Sequence, residues 1–393
     1  PSLTPSLSRS LTRFLGVQAM KVTFPHAGQA WVPLSTLFAK AGVECIVPPP
    51  CSKRTLSLGV KHSPEWVCLP FKLNLGNFIE ALEMGADTLV YVAGPGLCRL
   101  GYYAKVAEQI LRDAGYEFEM VCFDWQEKQI VGLAEFLRKL LGDRPWPRIV
   151  RDIKFGLDQM AVMDDLERMA HRLRPREAKP GQITAIWRTA GERVSKAWTG
   201  ADLKRVKSEI IAEYNAVPQN LEVDPLRIGL LGEFFMVTEP FTNMDLEDML
   251  GRMGVEVTRH AFFSEWAKVW LFLEALGLSH GQKVKRAAAP YLSRDVSGDA
   301  VQTVGETILH QEEGYDGIIH LLPFTCMPEI IAQSIMPRVT KDHEIPVLSI
   351  VLDEQMGRAG FVTRIEAFVD LMQRRRDLKR RAAQTVAAPN TNS

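Results

Sequence analysis

From Met20 onward, apolar positions gather into short runs rich in β-branched residues, separated by stretches in which apolar residues recur every three to four positions. That alternation is the pattern of a parallel sheet covered by helices. The runs Lys21–Phe24, Glu44–Val47, Trp66–Leu69, Thr88–Val92 and Phe118–Phe123 read as strands. Leu34–Ala41, Asn77–Met84 and Tyr102–Ala114 read as helices, and Gly42, Gly85 and Gly115 follow them where a left-handed C-cap places glycine.

Beyond Pro147 the strand pattern vanishes. Charged helical segments run to about Ala216, broken at Arg174-Pro175 and Lys179-Pro180-Gly181. Strand-like runs then return at Arg227–Leu231, Val255–Thr258, Gly317–Leu322 and Val347–Leu352, each followed by helical sequence. A last helix is expected over Arg364–Arg381, its basic end complementing the helix dipole. The reading is α/β: two Rossmann-like parallel-sheet domains, 20–146 and 226–381, with a helical connector, 147–225. Residues 1–19, with Ser and Arg but no acid, and residues 382–393, small and polar, are expected to be disordered ends.

Composition narrows the class. The 393 residues are 46% hydrophobic, enough for more than one core. Lys plus Arg equals Asp plus Glu at 47 each, so no overall field draws the chain to nucleic acid or an anionic membrane. No stretch approaches the roughly 20 apolar residues of a membrane span, and no signal peptide is evident. A soluble, cytoplasmic protein is expected, whose six cysteines are reduced and either buried, catalytic or metal-bound.

The cysteines fall into two groups. Cys45 and Cys122 lie within apolar strands and are expected in the core. Cys68 and Cys326 each read Cys-x-Pro, which places them at or just before a helix N-terminus, because proline suits a first turn. Cys98 follows a strand in the turn Gly94-Pro95-Gly96-Leu97-Cys98-Arg99-Leu100-Gly101. Strand-to-helix corners are where open α/β sheets bind ligands, and a helix N-terminus favours thiolate and offers N–H donors to an anionic iron–sulfur cluster. Three thiolates on a cubane cap three irons and leave the fourth open. Zinc is disfavoured, because no closely spaced cysteine pair exists. Cys51, after Pro48-Pro49-Pro50, stays open as a fourth ligand or a loop thiol.

Other residues flank these corners. Lys72 and Arg99 either neutralise cluster or phosphate charge or form ordinary salt bridges. Glu233 is a proton donor or a capping carboxylate, and His26 a ligand, an acid or a hydrogen-bonded loop residue.

Several blocks in order, Val47-Pro48-Pro49-Pro50 to Lys53-Arg54-Thr55, Cys68-Leu69-Pro70-Phe71-Lys72, Cys98-Arg99-Leu100-Gly101-Tyr102-Tyr103 and Cys326-Met327-Pro328-Glu329, resemble one family. It is the 2-hydroxyacyl-CoA dehydratase and benzoyl-CoA reductase superfamily, in its acyl-CoA dehydratase activase-related branch. The similarity runs from about Met20 to Arg376 and includes Gly232-Glu233, Glu239-Pro240-Phe241 and Leu352-Asp353-Glu354. It implies a [4Fe-4S] cluster on Cys68, Cys98 and Cys326, in a cleft between Rossmann-like domains. It also implies a separate ATP-hydrolysing activator that injects one electron, a small substrate such as an acyl-CoA reduced to a ketyl radical, and assembly as a homo- or heterodimer. The chain itself carries no Gly-x4-Gly-Lys-Ser/Thr loop for ATP. The alternative is an electron-transfer or cluster-carrying partner without its own substrate.

Overall fold

A computed structural model describes residues 20–93, 98–124, 130–268 and 280–387. The ends 1–19 and 388–393, and the glycine-rich turn 94–97, lie outside the described residues. Strands β1 (Lys21–Thr23), β2 (Glu44–Cys45), β3 (Thr88–Ala93) and β4 (Glu119–Asp124) form one parallel sheet in the order β2-β1-β3-β4. Strands β5 (Leu226–Gly232), β6 (Val255–Arg259), β7 (Gly317–Pro323) and β8 (Val347–Leu352) form a second in the order β6-β5-β7-β8. The two orders are the same permutation. The expected α/β class with two Rossmann-like parallel sheets is therefore what the chain adopts.

Sequence explains the central strands. Every residue of β7 is buried, and six of the seven in β5 are, as required of strands covered by helices on both faces. In each sheet the chain reverses its winding between the first and third strands. This creates a crevice beyond the carboxyl ends of β1 and β3, and another beyond β5 and β7.

Three local expectations are corrected. Trp66–Leu69 is not a strand: Trp66–Cys68 connect the helices Lys53–His62 and Leu69–Glu83, Leu69 opens the second, and no neighbouring strand pairs with them; the first of these helices was not expected. Cys122 is exposed rather than in the core, because β4 is an edge strand whose burial alternates, Val121 and Phe123 facing inward. Cys45, on the opposite edge, is only half-buried against the core of Val22, Phe38 and Val90. The last helix is also longer than expected, running Arg358–Ala387.

The helix Leu69–Glu83 is buried along nearly its whole length, from Leu69 to Ala81. It wedges between the two halves. Leu69 and Leu73 join a core with Leu230 and Leu321 of the second sheet and Met236 of the helix that follows β5, whereas Phe71, Leu75 and Phe78 pack on the first. Its polar residues find partners accordingly: Asn74 Nδ2 donates to Tyr91 (3.2 Å), and Glu80 accepts from Thr55 (2.8 Å). It crosses the helix Lys53–His62 so closely that a Cβ on Gly59 would lie 1.7 Å from the Lys72 carbonyl oxygen. Only glycine permits that approach.

Between the sheets, the helices Trp146–Leu173, Gln182–Ser195 and Gly200–Ala216 build a core of their own from Met163, Leu166, Ile183, Ile210 and Tyr214. That core reaches Val32 on the helix Trp31–Ala41. Arg259, at the end of β6, pairs with Glu167 and with Glu247 (2.8 Å), fastening the helical segment to the second sheet.

Candidate functional site

Two of the three cysteines are N-caps. Cys68 precedes the helix Leu69–Glu83, and Cys326 follows β7 and precedes the helix Met327–His343, each with proline in the first turn. Cys98 lies two residues before the helix Leu100–Asp113, beyond the end of β3. Cys68 Sγ sits 2.8 Å from the Tyr103 hydroxyl, which the sequence did not single out.

One guanidinium joins all three corners. Arg99 Nη1 donates to the Trp66 carbonyl (2.7 Å), and Nη2 donates to the Thr325 carbonyl and to Thr325 Oγ1 (2.9 Å). Thr325 Oγ1 in turn donates to the Trp66 carbonyl (3.2 Å). Trp66 is two residues before Cys68, Arg99 follows Cys98, and Thr325 precedes Cys326. Thr325 holds φ at +66°, a left-handed conformation that is costly for a β-branched residue and persists only when surrounding bonds fix it.

Electrostatics report the same convergence. Burial pushes Cys68 up to about 11, and it raises Cys98 and Cys326 as well; the charge of Glu233 raises all three further. The Cys68 charge also raises Cys326. The nearby N–H groups of Phe71, Leu100 and Glu329 pull each thiol down, as helix N-termini should, but burial outweighs them. The expectation that these corners favour thiolate by themselves is thus corrected. In the metal-free protein the thiols are protonated near neutrality, and only a bound cation would release their protons.

Glu233 caps the short helix Phe234–Thr238, accepting from Met236 N (3.0 Å), and Asp299 accepts from Phe234 N (3.0 Å) at the same helix end. Burial first, then the Asp299 charge, pushes Glu233 up to about 8; burial and Glu329 push Asp299 to about 7. Glu329, fully buried in the first turn after Cys326, meets His320 Nε2 (2.7 Å) and Thr303 (3.1 Å). The sequence offered no role for Asp299, Glu329 or His320, because a loop, a strand and a helix bring them to this wall and only the folded chain shows that they share it.

The remaining candidates lie elsewhere. Lys72 is buried and pairs with Glu354 across the domains at 2.6 Å, so it acts as an interdomain tie. His26 approaches Glu239 (3.4 Å) and lies with Cys51 in a second buried group, whose three ligand atoms are all within 4.8 Å of one another. Among the described residues Cys68, Cys98 and Cys326 do not form so tight a group. A single ion needs that tightness; a cluster, in which each thiolate takes a different iron, spans more.

Around the cysteine corners large apolar side chains are exposed: Trp66 and Phe324 meet at a tilt with ring centroids 6.2 Å apart, and Met327 and Ile330 are exposed as well. Compared with known proteins, the chain matches no family model and no curated protein. No helix among the described residues is long and apolar enough to cross a membrane.

Proposed function

We propose that this chain holds a [4Fe-4S] cluster on Cys68, Cys98 and Cys326 with one iron open. In this reading it works as a reductase or dehydratase on a small substrate, such as an acyl-CoA, supplied with electrons by a separate ATP-hydrolysing activator. The observation that carries the reading is the Arg99 tie, which fastens the backbones beside all three cysteines through one side chain. The donor set fits: three thiols, each facing a backbone N–H near a helix start that suits an anionic group, two of them, Cys98 and Cys326, beyond the carboxyl ends of β3 and β7. When bound, the cluster would supply single electrons and an open iron for a substrate oxygen.

The chain's own residues have separate tasks. Arg99 sets the spacing of the three corners and offsets negative charge. Tyr103 hydrogen-bonds the Cys68 sulfur. Glu233 keeps its proton near neutrality and stands close enough to all three thiols to shift each of them, which suits it to deliver a proton where a hydroxyl leaves. The exposed Trp66–Phe324 rim suits docking of the electron donor.

Anaerobic purification with iron and acid-labile sulfide counts tests the proposal. Wild type is expected to hold about four of each per chain, and Cys98→Ser to lose them. Protein without iron or sulfide, or a variant that keeps both, would overturn the ligand assignment. An acyl-CoA or cyanide that leaves the electron paramagnetic resonance spectrum of the reduced protein unchanged would turn the reading toward a carrier without its own substrate.

A further inference from the structure

The buried group of His26, Cys51 and Glu239 has chemistry of its own. His26 lies in the loop after β1, Cys51 in the loop after β2, and Glu239 between two short helices of the second domain; all three are buried. Asn77, on the buried helix Leu69–Glu83, organises two of them: its Oδ1 accepts from His26 N (3.0 Å) and from the Cys51 thiol (3.6 Å). Its Nδ2 is buried without a partner among the described residues. Glu239 accepts from Gly28 N (2.8 Å) and Phe241 N (3.3 Å), yet among the described residues no lysine or arginine pairs with this buried carboxylate. The His26 imidazole lies 3.4 Å from it.

We propose that His26, Cys51 and Glu239 bind one zinc-class divalent ion, with a fourth position left to water. Sulfur, imidazole and carboxylate form a donor set that zinc accepts, and three protein ligands with one open position is a zinc coordination pattern. The charges also balance. A dication, a thiolate, a carboxylate and a neutral imidazole sum to zero, which removes the cost of an uncompensated buried carboxylate. On binding, a sulfur–metal bond replaces the Cys51 S–H bond, the proton leaves to solvent, and nothing is oxidised or reduced. Because the ligands come from both domains, the ion would staple them together.

The rival group in the fold shows the contrast. Glu167, His171 and Glu247 are equally close together, but the Arg259 guanidinium already bonds both carboxylates and fills the place of a cation.

The test is zinc retained by the full-length, cluster-free chain after gel filtration, together with the thiolate-to-cobalt charge-transfer band on adding cobalt(II). Wild type and Cys98→Ser should each keep one equivalent and show the band. Cys51→Ser and His26→Gln should bind at least tenfold more weakly, and Cys51→Ser should lose the band; circular dichroism identifies any variant that fails to fold, the other then carrying the test. Zinc addition should raise the melting temperature of wild type but not of Cys51→Ser. No retained zinc in wild type, or zinc lost in Cys98→Ser and kept in Cys51→Ser, would overturn the site while leaving the cluster proposal standing.

Discussion

Arg99 and Thr325, 226 positions apart in sequence, are joined by two hydrogen bonds from one guanidinium nitrogen to a residue held at φ +66°. The bond to the Thr325 carbonyl holds the backbone one residue before Cys326, and the second nitrogen does the same near Cys68. Arg99→Ala should cost about 1–3 kcal/mol in denaturant unfolding and lower the iron retained per chain. Arg99→Lys keeps the charge but not the fork, and should recover little of either. Full iron content in Arg99→Ala would show that the corners hold their spacing without it.

Gly232 closes β5 at φ +130°, and a Cβ there would lie 1.9 Å from the Leu321 carbonyl oxygen of the paired strand. Gly232→Ala should destabilise by at least about 3 kcal/mol, since backbone rather than a flexible side chain must yield. A denaturation midpoint equal to wild type would mean that the two strand ends separate freely.

Glu233 and Asp299, pushed up to about 8 and about 7, give the protein a definite pH dependence. The native state binds their protons more tightly than the unfolded chain does, so their contribution is most favourable below the ordinary carboxylate range. It is lost as pH rises toward 7–8. For Glu233 alone the slope approaches about 1.4 kcal/mol per pH unit between those limits. Glu233→Gln should therefore gain stability relative to wild type as pH rises from 5 to 8, measured by urea unfolding. A difference independent of pH would place the Glu233 pKa near its ordinary value.

Lys72 and Glu354 oppose that trend at the acid end. Burial, the largest single influence, raises the Glu354 carboxyl, but the Lys72 hydrogen bond, a backbone hydrogen bond and the Lys72 charge together hold the group below its usual range. The pair stabilises above about pH 4.3, the ordinary glutamate value, and is lost as pH falls through the lower folded value. Lys72→Met should cost about 1–2 kcal/mol at pH 7, less than a fully buried pair because Glu354 keeps contact with water. The deficit should shrink below pH 4. A deficit that persists in acid would assign Lys72's role to packing of its stem.

The strands of both sheets were legible because each is a local apolar run followed by a helix with its own stop, Gly42, Gly85 and Gly115 all adopting the left-handed C-cap. Trp66–Leu69 misled because the same bulky apolar residues suit a strand or a helix-flanking turn, and only the absence of a pairing partner separates them. Cys122 misled because a strand's place in the sheet, edge or centre, is absent from its own sequence.

Pattern and punctuation along the chain, acting over a few residues at a time, determined the α/β class, the two repeated units and the helix-start positions of Cys68 and Cys326. Tertiary structure alone decided which charges and thiols share a space: Arg99 with Thr325, Glu233 with Asp299, His26 with Cys51 and Glu239. Burial and long-range charge then set the protonation of Cys68 and Glu233 against their local surroundings. Local propensity depends on neighbours in sequence, whereas desolvation and Coulomb interactions depend on neighbours in space, and the packing of both domains about the helix Leu69–Glu83 is what makes the second set of neighbours.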